Sequence, residues 1–142
     1  MTVAAVIEQA GKFLLVEEKT SDGILFNQPA GHLDAGESIV DAVVREVLEE
    51  SAYHFVPEAL IGIYQWHQPA HERTYLRFAF TGSIVGHDTD RPLDKGIIRT
   101  VWQLPDEIRA LRHRHRSPLV VDCMDDYLAG VRYPLVLLRH YG

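Results

Sequence analysis

Apolar positions along the chain change period several times, and each change marks an element. Val3–Ile7 and Lys12–Glu17 are short runs rich in apolar residues on either side of Gln9-Ala10-Gly11. Such runs around a turn predict two strands and a hairpin-like start. Ser21-Asp22-Gly23 predicts a turn, followed by a short extended piece over Leu25–Gln28. Pro29 holds Gln28 extended, so the chain passes Ala30 and Gly31 in a tight loop. The period then becomes helical, with Val40, Val43, Val44, Val47 and Leu48 on one arc. Ser38 is placed to cap that helix, and Asp41 three residues on completes a capping-box pattern. Leu60–Gln65, Tyr75–Val85 and Ile97–Trp102 predict further strands. In the second, Leu76, Phe78 and Phe80 alternate with Tyr75, Arg77 and Ala79, so the first set faces the core and Arg77 does not. Pro105–Leu111 predicts a short helix with proline at an early position. Pro118–Leu128 predicts a second main helix, capped by Ser117 and stopped by Gly130. Strands interleaved with two main helices make an α/β layer fold.

The helix after Ser38 carries a second pattern. At about 100° per residue, Glu46, Glu49 and Glu50 share an arc separate from the apolar one. Only Ala42 lies among them, small enough to let another loop approach. Like charges at this spacing destabilise a solvated helix by a few tenths of a kcal/mol per pair. They also sit toward the helix C-terminus, where the macrodipole disfavours negative charge. A bound divalent cation removes both conflicts, and Mg²⁺ takes oxygen ligands while keeping sites for water and phosphate. The plain alternative is a solvated acidic face.

Composition narrows the class. A chain of 142 residues, 46% hydrophobic and 24% charged, reads as one ordinary soluble domain spanning 1–142. Cys123 stands alone, which excludes an internal disulfide, fits a reducing cytoplasm, and reads as a buried helix residue. No apolar run reaches a membrane span, and the N-terminus has no signal-peptide pattern. A net charge of −6 argues against a nucleic-acid polymer as partner. It leaves room for a small phosphorylated metabolite or nucleotide, because bound cations reverse the local sign. The expected state is a cytoplasmic monomer or homodimer. The tract Arg112-His113-Arg114-His115-Arg116 reads as a solvated loop rather than a phosphate or metal site.

Gly31, Glu37, Arg45, Glu46, Val47, Glu49 and Glu50 resemble the Nudix hydrolase signature, Gly-x5-Glu-x7-Arg-Glu-(apolar)-x-Glu-Glu-x-Gly. The departure is Ala52, where that signature has the glycine that ends the helix in a left-handed cap. Ala52 is expected to cap less well, shifting or straining the helix end. Asn27-Gln28-Pro29-Ala30-Gly31-His32-Leu33, His67 after Gln65-Trp66, Leu76-Arg77-Phe78, Arg116-Ser117-Pro118 and Arg132-Tyr133-Pro134-Leu135 resemble the NudJ-type branch of bacterial phosphatases, in order along most of the chain.

This resemblance implies an α/β/α sandwich with a mixed sheet and a Mg²⁺-dependent pyrophosphohydrolase, Mn²⁺ being a possible substitute. It places metal at Glu46, Glu49 and Glu50 with the carbonyl of Ala30. It assigns catalytic roles to Glu46 and Glu49, with Arg45 orienting them and pairing with Glu37 or Glu46. The substrates it suggests are nucleoside di- or triphosphates, or a small organic diphosphate such as the thiamine-pathway pyrimidine diphosphate. Many members add an acid from a later loop. Gly96 stands at that place here, and Asp94 is the nearest substitute. Candidate substrate contacts are Gln28, His32, Trp66 and Arg77, with Phe26, Tyr75 and His67 beside them. Pro69 lies about where ADP-ribose hydrolases carry a proline, so an ADP-ribose or other nucleoside-diphosphate-X pyrophosphatase is an alternative. A non-catalytic nucleotide-sensing module is another, although such modules usually lose motif acids. An allylic diphosphate isomerase would need a reactive cysteine, and Cys123 lies far from the motif.

Overall fold

The computed structural model describes residues 1–142. Its first sheet runs in the order β5 (Ala30–His32), β1 (Thr2–Val6), β7 (Arg73–His87), β6 (Tyr53–Gln68). Strand β1 is parallel to β7, whereas the β1–β5 and β6–β7 pairs are antiparallel, so the sheet is mixed. In the second sheet β3 (Lys12–Thr20) pairs antiparallel with β2 (Glu8–Gln9), β4 (Gly23–Asn27) and β8 (Ile97–Gln103).

Apolar residues of β1 and β3 alternate between two cores. Val3, Ala5 and Leu14 pack with Ala42, Val43 and Val47 of α1 (Ile39–Ser51). Val6, Phe13 and Leu15 pack with Ile108 of α2 (Pro105–Ala110) and with Val120, Cys123 and Met124 of α3 (Leu119–Leu128). Helices thus cover both faces, giving the α/β/α sandwich with a mixed sheet. This double burial is why Val3–Ile7 reads as a continuous apolar run rather than an alternating one. Ala42 belongs to the α1 core, not to a loop contact on the acidic arc, as its place among the glutamates had implied.

Strands β6 and β7 are longer than their apolar patterns predict. The register of β6 slips near His54, Pro57 and Leu60. The first leaves Val85 of β7 unpaired and the other two leave Glu58 and Ile61 of β6 unpaired, which breaks the period of two. Ala79 is buried along with Phe80, because α3 covers the face opposite α1.

Helix α1 begins at Ser38, whose Oγ accepts the Asp41 N–H at 3.0 Å, but the return bond of the expected capping box, from the Ser38 N–H to the Asp41 side chain, does not form. Its end differs from expectation in mechanism rather than place. Ala52 adopts φ 62°, the left-handed conformation of a glycine cap, and its N–H donates to the Leu48 carbonyl at 2.9 Å. The basic tract is also not free in solvent. Arg114 donates to Glu17 Oε2 at 3.0 Å and lies 4.7 Å over the Phe26 ring, while Arg116 donates to Glu18 at 2.9 Å. Glu17 is buried on β3 and draws Arg114 inward; the hydrogen bond from Arg99, with that from Arg114, holds its carboxyl below the usual range. No helix is long and apolar enough to cross a membrane.

Candidate active site

Strand β5 brings the loop against the acidic helix. Ala30 and Gly31 lie opposite Ala4 and Val3 on β1, and the Ala5 N–H donates to the Pro29 carbonyl at 3.0 Å. With β5 held there, the Ala30 N–H donates to Glu50 Oε1 at 2.9 Å. Gly31 has no side chain, and the Glu46 carboxyl group fills the space a Cβ would take.

Arg45 ties the acids together. Its Nε and Nη2 donate to both oxygens of Glu37, at 2.7 and 2.9 Å. Nη1 donates to Glu46 at 2.8 Å and to Glu49 at 3.2 Å, and Nη2 also reaches the His32 carbonyl at 2.9 Å. Arg45 therefore pairs with Glu37 and Glu46 together, and with Glu49 as well. The guanidinium holds Glu37 below the ordinary carboxylate range. Burial pushes Glu46 up despite Arg45. Burial pushes Glu50 further, to about 8, because its hydrogen bond comes from a neutral amide and its charged neighbours are acids.

A later loop supplies one more acid. The chain after β7 folds back on the end of α1, with the Asp88 N–H donating to the Ala52 carbonyl at 2.8 Å and the Asp94 N–H to the Glu49 carbonyl at 2.9 Å. One carboxylate oxygen each of Glu46, Glu49 and Asp94 then lie within 4.8 Å of one another. Three oxygen donors at that spacing suit a hard divalent cation. Glu50 stands just outside this set, with its carboxylate directed to Ala30 and close enough to Glu46 and Asp94 to feel their charge.

Two of these acids, Glu46 and Glu50, line a cleft of about 710 Å³, and Glu49 and Asp94 lie behind them. Ala30, Gly31 and His32 line it beside these acids, and Trp66, Tyr75 and Arg77 also contribute to its wall. Trp66 and Tyr75 pair across β6 and β7 and stack at 5.7 Å, 22° from parallel. That separation leaves no room for a third ring between them, so a base would stack on an outer face. Trp66 packs on the α3 core and Tyr75 does not, which leaves Tyr75 as the outer ring.

Several expected contacts take other roles. Gln28 is buried, and its amide bridges the Val120 carbonyl and Arg77 rather than facing the cleft. Phe26 is a core residue under Arg114. His67 is exposed and contacts Thr74, apart from the cleft. Arg77 is neither an exposed sheet arginine nor paired with an acid; α3 and the Asn27-Gln28 segment bury it at the cleft wall. Arg73, also lining the cleft, was missed. The available clue was its spacing, since Arg73, Tyr75 and Arg77 share one face of β7.

The family model described as NUDIX domain matches residues 1–122. The chain belongs to the Nudix family. A Nudix hydrolase from Nitrosomonas europaea has the same fold at a TM-score of 0.96, with 56% identity over 99% of this chain and 95% of that one. The phosphatase NudJ of Escherichia coli strain K12 is 38% identical over all 142 residues and 92% of its own length. An ADP-ribose pyrophosphatase from Streptococcus suis shares the fold alone, at a TM-score of 0.62 and 23% identity over 89% of this chain and 90% of that one. This Nudix chain is an enzyme, a hydrolase of phosphoanhydride bonds. Its Nudix helix is α1, and the motif residues from Gly31 to Glu50 are those joined by Arg45, Ala30 and Asp94 above.

Proposed function

We propose that residues 1–142 form one Nudix domain that hydrolyses nucleoside di- or triphosphates, or a related small organic diphosphate such as the thiamine-pathway pyrimidine diphosphate, with Mg²⁺ bound. The observation that carries this reading is the convergence of Glu46, Glu49 and Asp94 oxygens within 4.8 Å, next to a cleft that Glu46 lines together with a stacked aromatic pair. Glu46, Glu49 and Asp94 would hold the metal, with Glu50 and the Ala30 carbonyl completing its surroundings. Mn²⁺ would substitute. The bound cation neutralises phosphate charge and acidifies water when present.

The protein's own part is placement. Arg45 fixes the rotamers of Glu46 and Glu49, and Glu37 fixes Arg45 through two hydrogen bonds. Asp94, the exposed acid of the group, would take a proton from the attacking water at its carboxylate. Tyr75, backed by Trp66, offers a face to a heterocycle, and His32 and Arg77 line the path between. The enzyme would work in the cytoplasm as a monomer or homodimer, on small molecules rather than nucleic-acid polymers or membranes.

The family neighbour that hydrolyses ADP-ribose keeps a nucleoside-diphosphate-X substrate open as the second reading. A silent nucleotide sensor fits less well, because every motif acid is retained and joined. The test is a screen of about two dozen phosphorylated metabolites with Mg²⁺ and with EDTA, products read by mass. Turnover of a diphosphate only with Mg²⁺ supports the proposal; no turnover of any diphosphate with either Mg²⁺ or Mn²⁺ overturns it. Heavy-oxygen water then locates the attacked phosphorus.

A further inference from the structure

Arg77 is 5% exposed, yet it forms no ion pair. Its Nη1 donates to Gln28 Oε1 at 2.9 Å and lies 3.9 Å from Cys123 Sγ. Its Nη2 donates to Asn27 Oδ1 at 2.9 Å. All three partners are neutral. A guanidinium has five N–H donors. Here the Nε–H and the second Nη2–H have no protein partner, and these two nitrogens are adjacent. Two unpaired N–H groups on one planar guanidinium can donate to the oxygens of a phosphate. A charge taken this far from water without a counter-ion is unfavourable unless an anion arrives.

The residues around Arg77 are fixed in place. Gln28 Nε2 donates to the Val120 carbonyl at 2.8 Å, which turns its oxygen toward Arg77. Asn27 and Gln28 run directly into Ala30, whose N–H holds Glu50. Two residues of extended chain, about 7 Å, separate Gln28 from Ala30. The acidic cluster and the buried cation therefore sit on one short, braced segment, and both open on the same cleft.

We propose that Arg77 binds the phosphate of the substrate that faces away from the acidic cluster, and that Asn27 and Gln28 hold its guanidinium ready to do so. Arg77 then sets the requirement for two adjacent phosphates. This rests on the pyrophosphohydrolase reading above and says which part of the substrate the cleft selects.

The test titrates the protein, in excess Mg²⁺, with methylenediphosphonate and with inorganic phosphate, two probes that lack a base. The wild type is expected to bind the diphosphonate at least ten-fold more tightly. Arg77→Gln should erase that preference, leaving phosphate affinity within about two-fold and Mn²⁺ binding intact. Arg77→Lys, which keeps charge without the planar guanidinium, should lose at least five-fold of the preference, and Asn27→Ala should lose part of it. Should Arg77→Gln fail to fold, the lysine and Asn27 variants decide by the same comparison. No preference in the wild type, or full preference in a folded variant, overturns the assignment of Arg77. A wild type that binds no Mn²⁺ but shows an Arg77-dependent preference overturns the metal reading and leaves the Arg77 assignment standing.

Discussion

The Glu46 carboxyl group occupies the place where a side chain on Gly31 would begin. Gly31 thus serves the site by closeness rather than by a left-handed backbone, since its φ is not positive. Gly31→Ala is expected to push Glu46 out of the acidic cluster. Displacement by about 1 Å at a reacting centre lowers rates about 100-fold. Phosphate-release kinetics beside a thermal melt would check this, with activity falling far more than stability.

The Asp94 N–H bonded to the Glu49 carbonyl brings the Asp94 side chain to Glu49. Glu49→Gln is expected to cost at least about 100-fold in turnover with the fold intact, because the removed charge has no packing role. Asp94→Asn should cost at least about ten-fold and weaken Mn²⁺ binding. Calorimetric Mn²⁺ titrations and turnover rates test both. Near-wild-type turnover in Glu49→Gln would defeat the metal assignment.

Ala52 poses a question of magnitude. Left-handed φ costs an alanine about 1–2 kcal/mol. Glycine would relieve that, but it loses a buried methyl worth about 0.8 kcal/mol and adds about 0.5–1 kcal/mol of chain entropy. Ala52 is 2% exposed, so the methyl term applies in full. Ala52→Gly is therefore expected to change stability by less than about 1 kcal/mol, which accounts for the tolerance of alanine here. Ala52→Val adds β-branching at the same φ and should destabilise by more than about 2 kcal/mol. Urea unfolding midpoints of the two variants give the comparison.

The hydrogen bond from Arg99 leads, and that from Arg114 adds, in lowering the Glu17 carboxyl below its ordinary 4.5, against the opposing effect of burial. A lowered folded pKa stabilises the fold above the unfolded value and loses that contribution as pH falls through the folded value. Stability is thus expected to drop below about pH 4.5. Glu17→Gln should flatten that part of the curve while lowering stability at neutral pH. Urea midpoints measured between about pH 3 and pH 7 on both proteins decide it.

What the chain settled alone was local. Helical spacing grouped Glu46, Glu49 and Glu50 within α1, and Ser38 started the helix, because both depend on residues one or two turns apart. The strands of the core followed from short apolar runs and the turns between them, but the hairpin expected of Val3–Ile7 and Lys12–Glu17 did not form: β1 and β3 lie in different sheets, and only Glu8-Gln9 turns back on Lys12-Phe13. Tertiary structure decided whatever depends on distant partners. Asp94 joined the acids through a backbone bond to Glu49, and no periodicity reports such a contact. Arg77 looked exposed by alternation, yet α3 and the Asn27-Gln28 segment buried it, since alternation separates the two faces of a strand without saying what covers each. The slips of β6 hid half that strand for the same reason: pairing with β7, not local pattern, sets its register.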